Sequence, residues 1–210
     1  MTPQPPEISV DPASVYIVMI NEVVPKDPRQ DFYGGPGAPY AESAVAMFRQ
    51  AGVDVSSVSE LLDRGIYLTN AVKYPKTGYA VELSAIERSL PLLEEELSRF
   101  PNLRIVMLMG DTAKKSFNML VKKQTGKNCI PSGATYKLRA GEFYFGNVRV
   151  IPSYIMTGGN LLIEKSKTQM ITEDIKKNDG NYSSVTSIGS RMFFRTILGS
   201  SSSSSSVISA

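Results

Sequence analysis

The chain has 210 residues, of which 42% are hydrophobic and 20% are charged, and its formal net charge is +3. These values predict a globular protein with one sizeable core and argue against a disordered chain. Histidine is absent and there is a single cysteine, Cys129. Histidine general bases, Ser-His-Asp triads, internal disulfides and cysteine-ligated metal or iron–sulfur sites are therefore excluded. We expect no metal and no cofactor.

The N-terminus is polar and rich in proline, without the charged and apolar regions of a signal peptide. The longest apolar runs, 15–20 and 105–109, are too short to span a bilayer. We therefore expect an intracellular, cytoplasmic protein that does not contact a membrane, and we take it to be a monomer.

The first elements along the chain are an arm, a strand and a long loop. Residues 1–12 predict a flexible arm, and the continuous apolar run 15–20 predicts a strand buried on both faces. Residues 21–40 are dense in proline, glycine, acidic and aromatic residues before a helical pattern begins. Ordered loops of this length in compact domains are usually functional.

The rest of the chain alternates between helical spacing and short apolar runs. Helices are predicted over 40–52, 54–62, 80–100, 111–123 and 160–177, with a kink or restart at Pro91. Buried strands are predicted over 65–72 and 104–110, and a hairpin within 134–154 leads into a last strand, 148–151. For the second and fourth helices, the predicted caps are Asp54 or Ser56 and Asp111 or Thr112.

This alternation predicts an α/β fold, a three-layer sandwich with a central, mostly parallel four-stranded sheet and helices on both faces. The domain covers 13–177, and the Ser-rich segment 178–210 is predicted to be a disordered tail. In such sheets the ligand lies at the carboxyl ends of the strands. The segments at those ends are 21–40, 70–80, 110–112 and 152–160.

Five short motifs fall in or next to these segments. They are NEVVP (21–25), GAPY (37–40), YLTNAVK (67–73), LMGDTAKK (108–115) and PSYIMTGG (152–159). In order and spacing they resemble the Gly-Glu-Ala-Pro-Gly, Gly-x-Pro-Phe, Tyr-Ile-Thr-Asn-x-x-Lys, Leu-Gly-x-Thr-Ala and Pro-x-Tyr-His-Pro-Ser motifs of the uracil-DNA glycosylase superfamily, most closely its bacterial and archaeal branches. The resemblance extends over residues 15–177 and implies a DNA-binding base-excision enzyme.

The resemblance assigns roles to individual residues. It implies that Glu22, with the neighbouring Asn21, activates the attacking water, and that Tyr40 stacks on a flipped base. An amide offers both a donor and an acceptor, so Asn70 suits one edge of that base. Each of these side chains also has a plain alternative: a solvated loop acid for Glu22, a core aromatic for Tyr40, and a loop anchor for Asn70.

Phosphate contacts are predicted for residues around the same cleft, with a solvated surface face as the alternative for each lysine. They are Lys73, Lys76, Thr157, Lys165 and Lys167.

The last motif departs from the family pattern. Ile155 stands at the base-facing position where the family has histidine, and isoleucine cannot donate a hydrogen bond to a departing base. Thr157 or Tyr154 are candidate substitutes. The iron–sulfur cysteines of some branches are also absent.

Three hypotheses follow. The first is a DNA glycosylase that removes uracil or another deaminated base. The second is a non-catalytic nucleic-acid or nucleotide-binding relative, and the third is a different small-molecule or nucleotide hydrolase on the same fold.

Overall fold

The structure, a computed structural model, describes residues 2–4, 6, 8–78, 80–158 and 164–185, with side chains up to residue 177. Its elements are, in chain order, β1 (Ile17–Val23), α1 (Pro39–Gln50), α2 (Val58–Asp63), β2 (Ile66–Val72), α3 (Leu83–Ser98), β3 (Ile105–Met109), α4 (Asp111–Thr125), α5 (Thr135–Leu138), β4 (Phe143–Phe145), β5 (Val148–Ser153) and α6 (Lys165–Val185). Short 3₁₀ turns, Pro12–Ser14 and Pro28–Gln30, lie on either side of β1. Among the described helices, none is long and apolar enough to cross a membrane.

The strands form one sheet in the order β2-β1-β3-β5-β4. β1 pairs in parallel with β2 and β3, β3 pairs in parallel with β5, and β4 pairs antiparallel with β5. The predicted mostly parallel sheet is thus confirmed. It has five strands instead of four because the first arm of the predicted hairpin adds an edge strand.

Helices cover both faces of this sheet, because successive strand side chains point to opposite sides. Ile17, Met19 and Leu68 pack on the face covered by α1, α2 and α6. Val18, Ile20 and Tyr67 pack on the face covered by α3 and α4. The predicted three-layer sandwich is therefore confirmed.

Several boundaries differ from the predictions. β1 continues past Ile20 to Val23, and α3 runs through Pro91 without interruption. Residues 135–138, predicted as part of the hairpin, form the helical turn α5. Beyond the predicted end of the last helix at residue 177, α6 continues to Val185. The rest of the predicted tail lies outside the described residues.

Both predicted helix caps are wrong. α2 is capped by Ser57, whose Oγ accepts the Glu60 N–H at 3.2 Å. α4 has Gly110 at its cap position, without a side-chain hydrogen bond from that residue. The N–H of Thr112 instead donates to Glu22, a residue from the end of β1.

Part of the predicted arm lies against the domain. The N–H of Gln4 donates to the Lys73 carbonyl oxygen at 2.8 Å, just past the end of β2. Ile8 and Val10 pack against the core face that α3 and α4 cover. Gln4 of the arm thus lies at the carboxyl end of the edge strand β2.

Candidate active site

Two asparagines meet at the carboxyl ends of the central strands. Asn21 of β1 and Asn70 of β2 are partners in the parallel register and are 0% and 1% exposed. Asn21 Nδ2 donates to Asn70 Oδ1 at 3.2 Å. Because paired residues of neighbouring parallel strands point to the same face, the register brings the two amides together.

A third residue joins them from the segment after β5. Thr157 is 5% exposed, and its Oγ1 accepts the second hydrogen bond of Asn21 Nδ2 at 2.8 Å. The hydroxyl predicted to contact a phosphate is therefore inside the protein. Thr157 instead connects the last motif to the first two.

Asp31 completes this chain of hydrogen bonds, and sequence reasoning missed it. Asn70 Nδ2 donates to the two carboxylate oxygens of Asp31 at 2.9 and 3.0 Å. The Phe32 N–H donates to the same carboxylate at 2.8 Å. Burial raises the pKa of Asp31, while the Asn70 and Phe32 hydrogen bonds and the charge of Lys73 act in the opposite direction. The only sequence signal for Asp31 as a site residue was an acidic side chain in a long loop. Asp27, in the same loop, fits that signal equally well.

Asn21 keeps one unused polar atom in this chain. Its Oδ1 is buried and has no hydrogen-bond partner among the described residues. Buried acceptors in folded proteins are nearly always paired, with protein, water or ligand. The Asn21 carbonyl oxygen is therefore suited to hold a hydrogen of a bound water or ligand.

Glu22 lies on the other face of the sheet from Asn21, because successive residues of a strand alternate. Its Oε1 accepts the Thr112 N–H at 2.8 Å, in the first turn of α4. A carboxylate at a helix N-terminus is stabilised by the unpaired N–H groups and the helix dipole. Glu22 is half-buried, so its second oxygen is not sealed in the core.

The predicted stacking aromatic, Tyr40, lies at the start of α1 and is half-buried. Its hydroxyl donates to the Val23 carbonyl oxygen at 3.3 Å, and its ring centroid is 5.5 Å from that of Phe32. Burial raises the pKa of Tyr40, and a hydrogen bond with Thr157 counteracts this. Tyr40 therefore adjoins the Asn21–Thr157 hydrogen bond, with its ring against the long loop.

Ile155 lies in the segment between β5 and Thr157 and is half-buried, and the following Met156 is fully buried. This part of the last motif supplies apolar surface beside the polar chain and no donor from the Ile155 side chain.

Lys73, predicted to contact a phosphate, lies in the protein interior. Lys73 is 1% exposed, and its Nζ donates to Thr69 Oγ1 at 2.7 Å and to Glu96 Oε2 at 2.5 Å. Tyr67 also donates to Glu96, at 2.9 Å. Lys73 therefore belongs to a buried ion pair that fastens β2 to α3, and it is not positioned to meet a phosphate.

The other predicted cations lie at the surface. Lys165 is exposed at the start of α6, and Lys167 forms an ion pair with Glu164. Lys76 is exposed in the loop after β2. Lys26, exposed in the loop after β1, is a further candidate that sequence reasoning did not name.

A cavity of about 440 Å³ adjoins Asp31. The cavity is also lined by Arg29, Tyr33, and Pro3 and Gln4 of the arm. Within the described ranges, no group of three or more His, Cys, Asp or Glu side chains could hold a metal ion.

This arrangement, on this fold, agrees with a comparison to known families. The family model of the uracil DNA glycosylase superfamily matches residues 12–169. The chain therefore belongs to that superfamily. No curated protein matches the chain significantly.

Proposed function

We propose that this protein is a DNA glycosylase, which hydrolyses the N-glycosidic bond of a base flipped out of DNA. The observation that carries the proposal is the hydrogen-bond chain from Thr157 through Asn21 to Asn70. It joins the ends of β5, β1 and β2 at the edge where open α/β sheets bind their ligands. Membership of the superfamily supports the same reading.

The proposed reaction breaks one bond and forms one. The bond between C1′ and the base nitrogen breaks, and its electron pair leaves with the base. Water then adds to the oxocarbenium-like C1′ and loses a proton, which yields an abasic site. The base must first leave the helix and enter a pocket, where an aromatic side chain such as Tyr40 can stack on it.

Asn21 and Glu22 are the residues we propose for the water and the sugar. The unpaired, buried Asn21 Oδ1 is suited to accept a hydrogen bond from the attacking water. The carboxylate of Glu22 keeps one oxygen beyond its bond to Thr112 and brings a negative charge that an oxocarbenium-like sugar would favour.

Uracil or another deaminated base is the substrate predicted from the resemblance. Uracil departs as an anion, so its release benefits from a donor aimed at its oxygen. Ile155 supplies none, and both polar groups of the Asn70 amide already have partners. This observation favours a second candidate, a relative that binds nucleic acid or nucleotides without cutting.

Base release distinguishes the two candidates. Purified protein is incubated with labelled oligonucleotides that carry uracil, hypoxanthine or xanthine in single-stranded and mismatched contexts, and alkali then cleaves the abasic sites. A glycosylase produces breaks, and Glu22→Gln should strongly reduce them while Glu87→Gln, on the exposed part of α3, should not. Salt-dependent DNA binding with no base release from these or other damaged bases would establish the non-catalytic relative.

A further inference from the structure

Asp31 carries a negative charge for which the proposed reaction has no use. Among the described residues it forms no ion pair. The nearby Lys73 is neutralised by Glu96, and Arg29, two residues away, binds Asp27 at 2.8 Å. The Arg29 side chain is 85% exposed, so its charge is well solvated. A half-buried carboxylate without a cation of its own favours a ligand that brings one.

A cavity lies beside Asp31 and is lined by polar and aromatic residues. Gln4 lines it, and its Oε1 is buried without a hydrogen-bond partner among the described residues. Tyr33 also lines it, and an aromatic ring face attracts cations. Its volume of about 440 Å³ falls within the range of small-molecule sites. The cavity thus places the Asp31 carboxylate beside an aromatic residue, while the Arg29 side chain in the same lining is paired with Asp27.

Ile155 gives an independent reason to expect a cationic base. A neutral base such as uracil leaves as an anion and needs a hydrogen-bond donor. A base that is already cationic, such as a purine alkylated on a ring nitrogen, leaves as a neutral molecule. Its C1′–N bond breaks, the electron pair neutralises the ring, and water adds to C1′ and releases a proton. No donor is required at position 155 for this reaction.

We infer that cationic, ring-alkylated purines are substrates of this site, that they are preferred over uracil, and that Asp31 selects them. The inference rests on the proposed glycosylase function and names the substrate class. Asp31 would act as a specificity residue, through the charge that it presents to the base, while water and sugar are handled elsewhere.

The test compares two substrates in one assay. Duplex DNA methylated with dimethyl sulfate and the same duplex carrying uracil are incubated with the full chain, and released bases are measured by chromatography after subtraction of the enzyme-free reaction. We expect faster release of methylated purines than of uracil. Asp31→Asn should slow methylpurine release by about 10- to 100-fold, the loss expected for one contact to a charged group. Uracil release gains nothing from that charge and should fall less, so the preference for methylated purines should shrink in Asp31→Asn.

Two controls keep the outcome interpretable. Asp63→Asn removes the same charge from an exposed position at the end of α2 and should leave both rates unchanged. Circular dichroism verifies that each variant is folded, and the wild-type preference for methylated purines needs no variant at all.

Each contrary result has a distinct meaning. Release of uracil without methylated purines would overturn the inference and leave the proposed function intact. Methylated purines released equally fast by the wild type and by Asp31→Asn would overturn the selective role of Asp31. No release of any base by any variant would overturn both proposals.

Discussion

The carboxylate of Glu22 lies directly against Gly110: a Cβ added to Gly110 would be 2.5 Å from Glu22 Oε1. Gly110 also has a φ of +109°, a conformation that residues with side chains rarely adopt. The cap position of α4 therefore has no side chain, and Glu22 bonds the Thr112 N–H in its place. The orientation of the proposed catalytic acid is thus fixed by a glycine from another strand end.

Two substitutions separate the charge of Glu22 from its capping role. Glu22→Gln keeps an oxygen for the Thr112 N–H, so we expect a stability loss below about 1 kcal/mol. Base release should fall by about 100- to 1000-fold because the negative charge is gone. Glu22→Ala should additionally lose about 1–2 kcal/mol of unfolding free energy as the cap disappears. Urea unfolding and single-turnover assays measure both, and full release by Glu22→Gln would exclude the catalytic role.

A substitution at Gly110 should displace the Glu22 side chain without changing its chemical identity. Gly110→Ala forces the carboxylate away and strains the backbone, so we expect a loss of about 1–3 kcal/mol and reduced base release. Gly126→Ala is the matched control, because Gly126 also has positive φ, +76°, but open space around it. It should lose stability through strain and keep its activity. Equal activity in the two variants would argue against a functional Glu22.

The strands were predicted well from the sequence. The face of the sheet to which each site residue points was predicted poorly. Continuous apolar runs predicted the strands because a strand covered on both faces has no polar side. The end of β1 was missed because Asn21 and Glu22 are polar, yet Val23 still pairs with Val72 of β2. Because β1 continues through Asn21 and Glu22, their side chains point to opposite faces of the sheet.

Long-range partners explain why the buried position of Lys73 and the role of Asp31 were not predicted from the sequence. Lys73 lies within a local sequence that is typical of a loop, and only Glu96, far along the chain on α3, makes it a buried residue. Asp31 depends on a loop conformation that no periodicity encodes. The predicted convergence of the motif segments on one edge, by contrast, followed from strand order and was confirmed.

The buried position of Lys73 predicts a stability effect instead of a binding effect. Lys73→Met leaves Glu96 buried without a cation, so we expect a loss of about 3–5 kcal/mol in urea unfolding. Lys123→Met, which removes a 3.4 Å ion pair with Glu94 where the lysine is 70% exposed, should lose about 0–1 kcal/mol. The salt dependence of DNA binding by folded Lys73→Met should equal that of the wild type. A slope reduced by about one would mean that Lys73 does contact a phosphate.

Lys26 and Lys76 are better candidates for phosphate contacts. They are exposed in the loops after β1 and β2, adjacent parallel strands whose carboxyl ends adjoin. We expect Lys26→Ala and Lys76→Ala each to weaken DNA binding and to lower the salt slope by about one. Lys122→Ala, near the opposite end of α4, is the charge-matched control. Titrations at several salt concentrations measure the slope, and equal slopes in all three variants would place the DNA elsewhere.

The pKa of Asp31 predicts how its replacement changes stability with pH. Burial is the main cause that raises this pKa above its ordinary value of 3.8. The folded protein therefore binds the proton more tightly than the unfolded chain, and Asp31 lowers stability as the pH rises from 3.8 through the folded pKa. Asp31→Asn has no proton to lose there. Relative to the wild type, the variant should become more stable across that interval.

Urea unfolding of wild type and Asp31→Asn at about pH 3.5, 5 and 7 measures the difference. Asp63→Asn, at the exposed end of α2, is the matched control for the loss of one charge. If the variant instead loses stability relative to the wild type as the pH rises, the Asn70 hydrogen bonds outweigh burial in their effect on the pKa of Asp31. The expected result is a stability difference that shifts in favour of Asp31→Asn as the pH rises, together with slower excision of alkylated bases. It would identify Asp31 as a charge retained for its ligand at the expense of the fold.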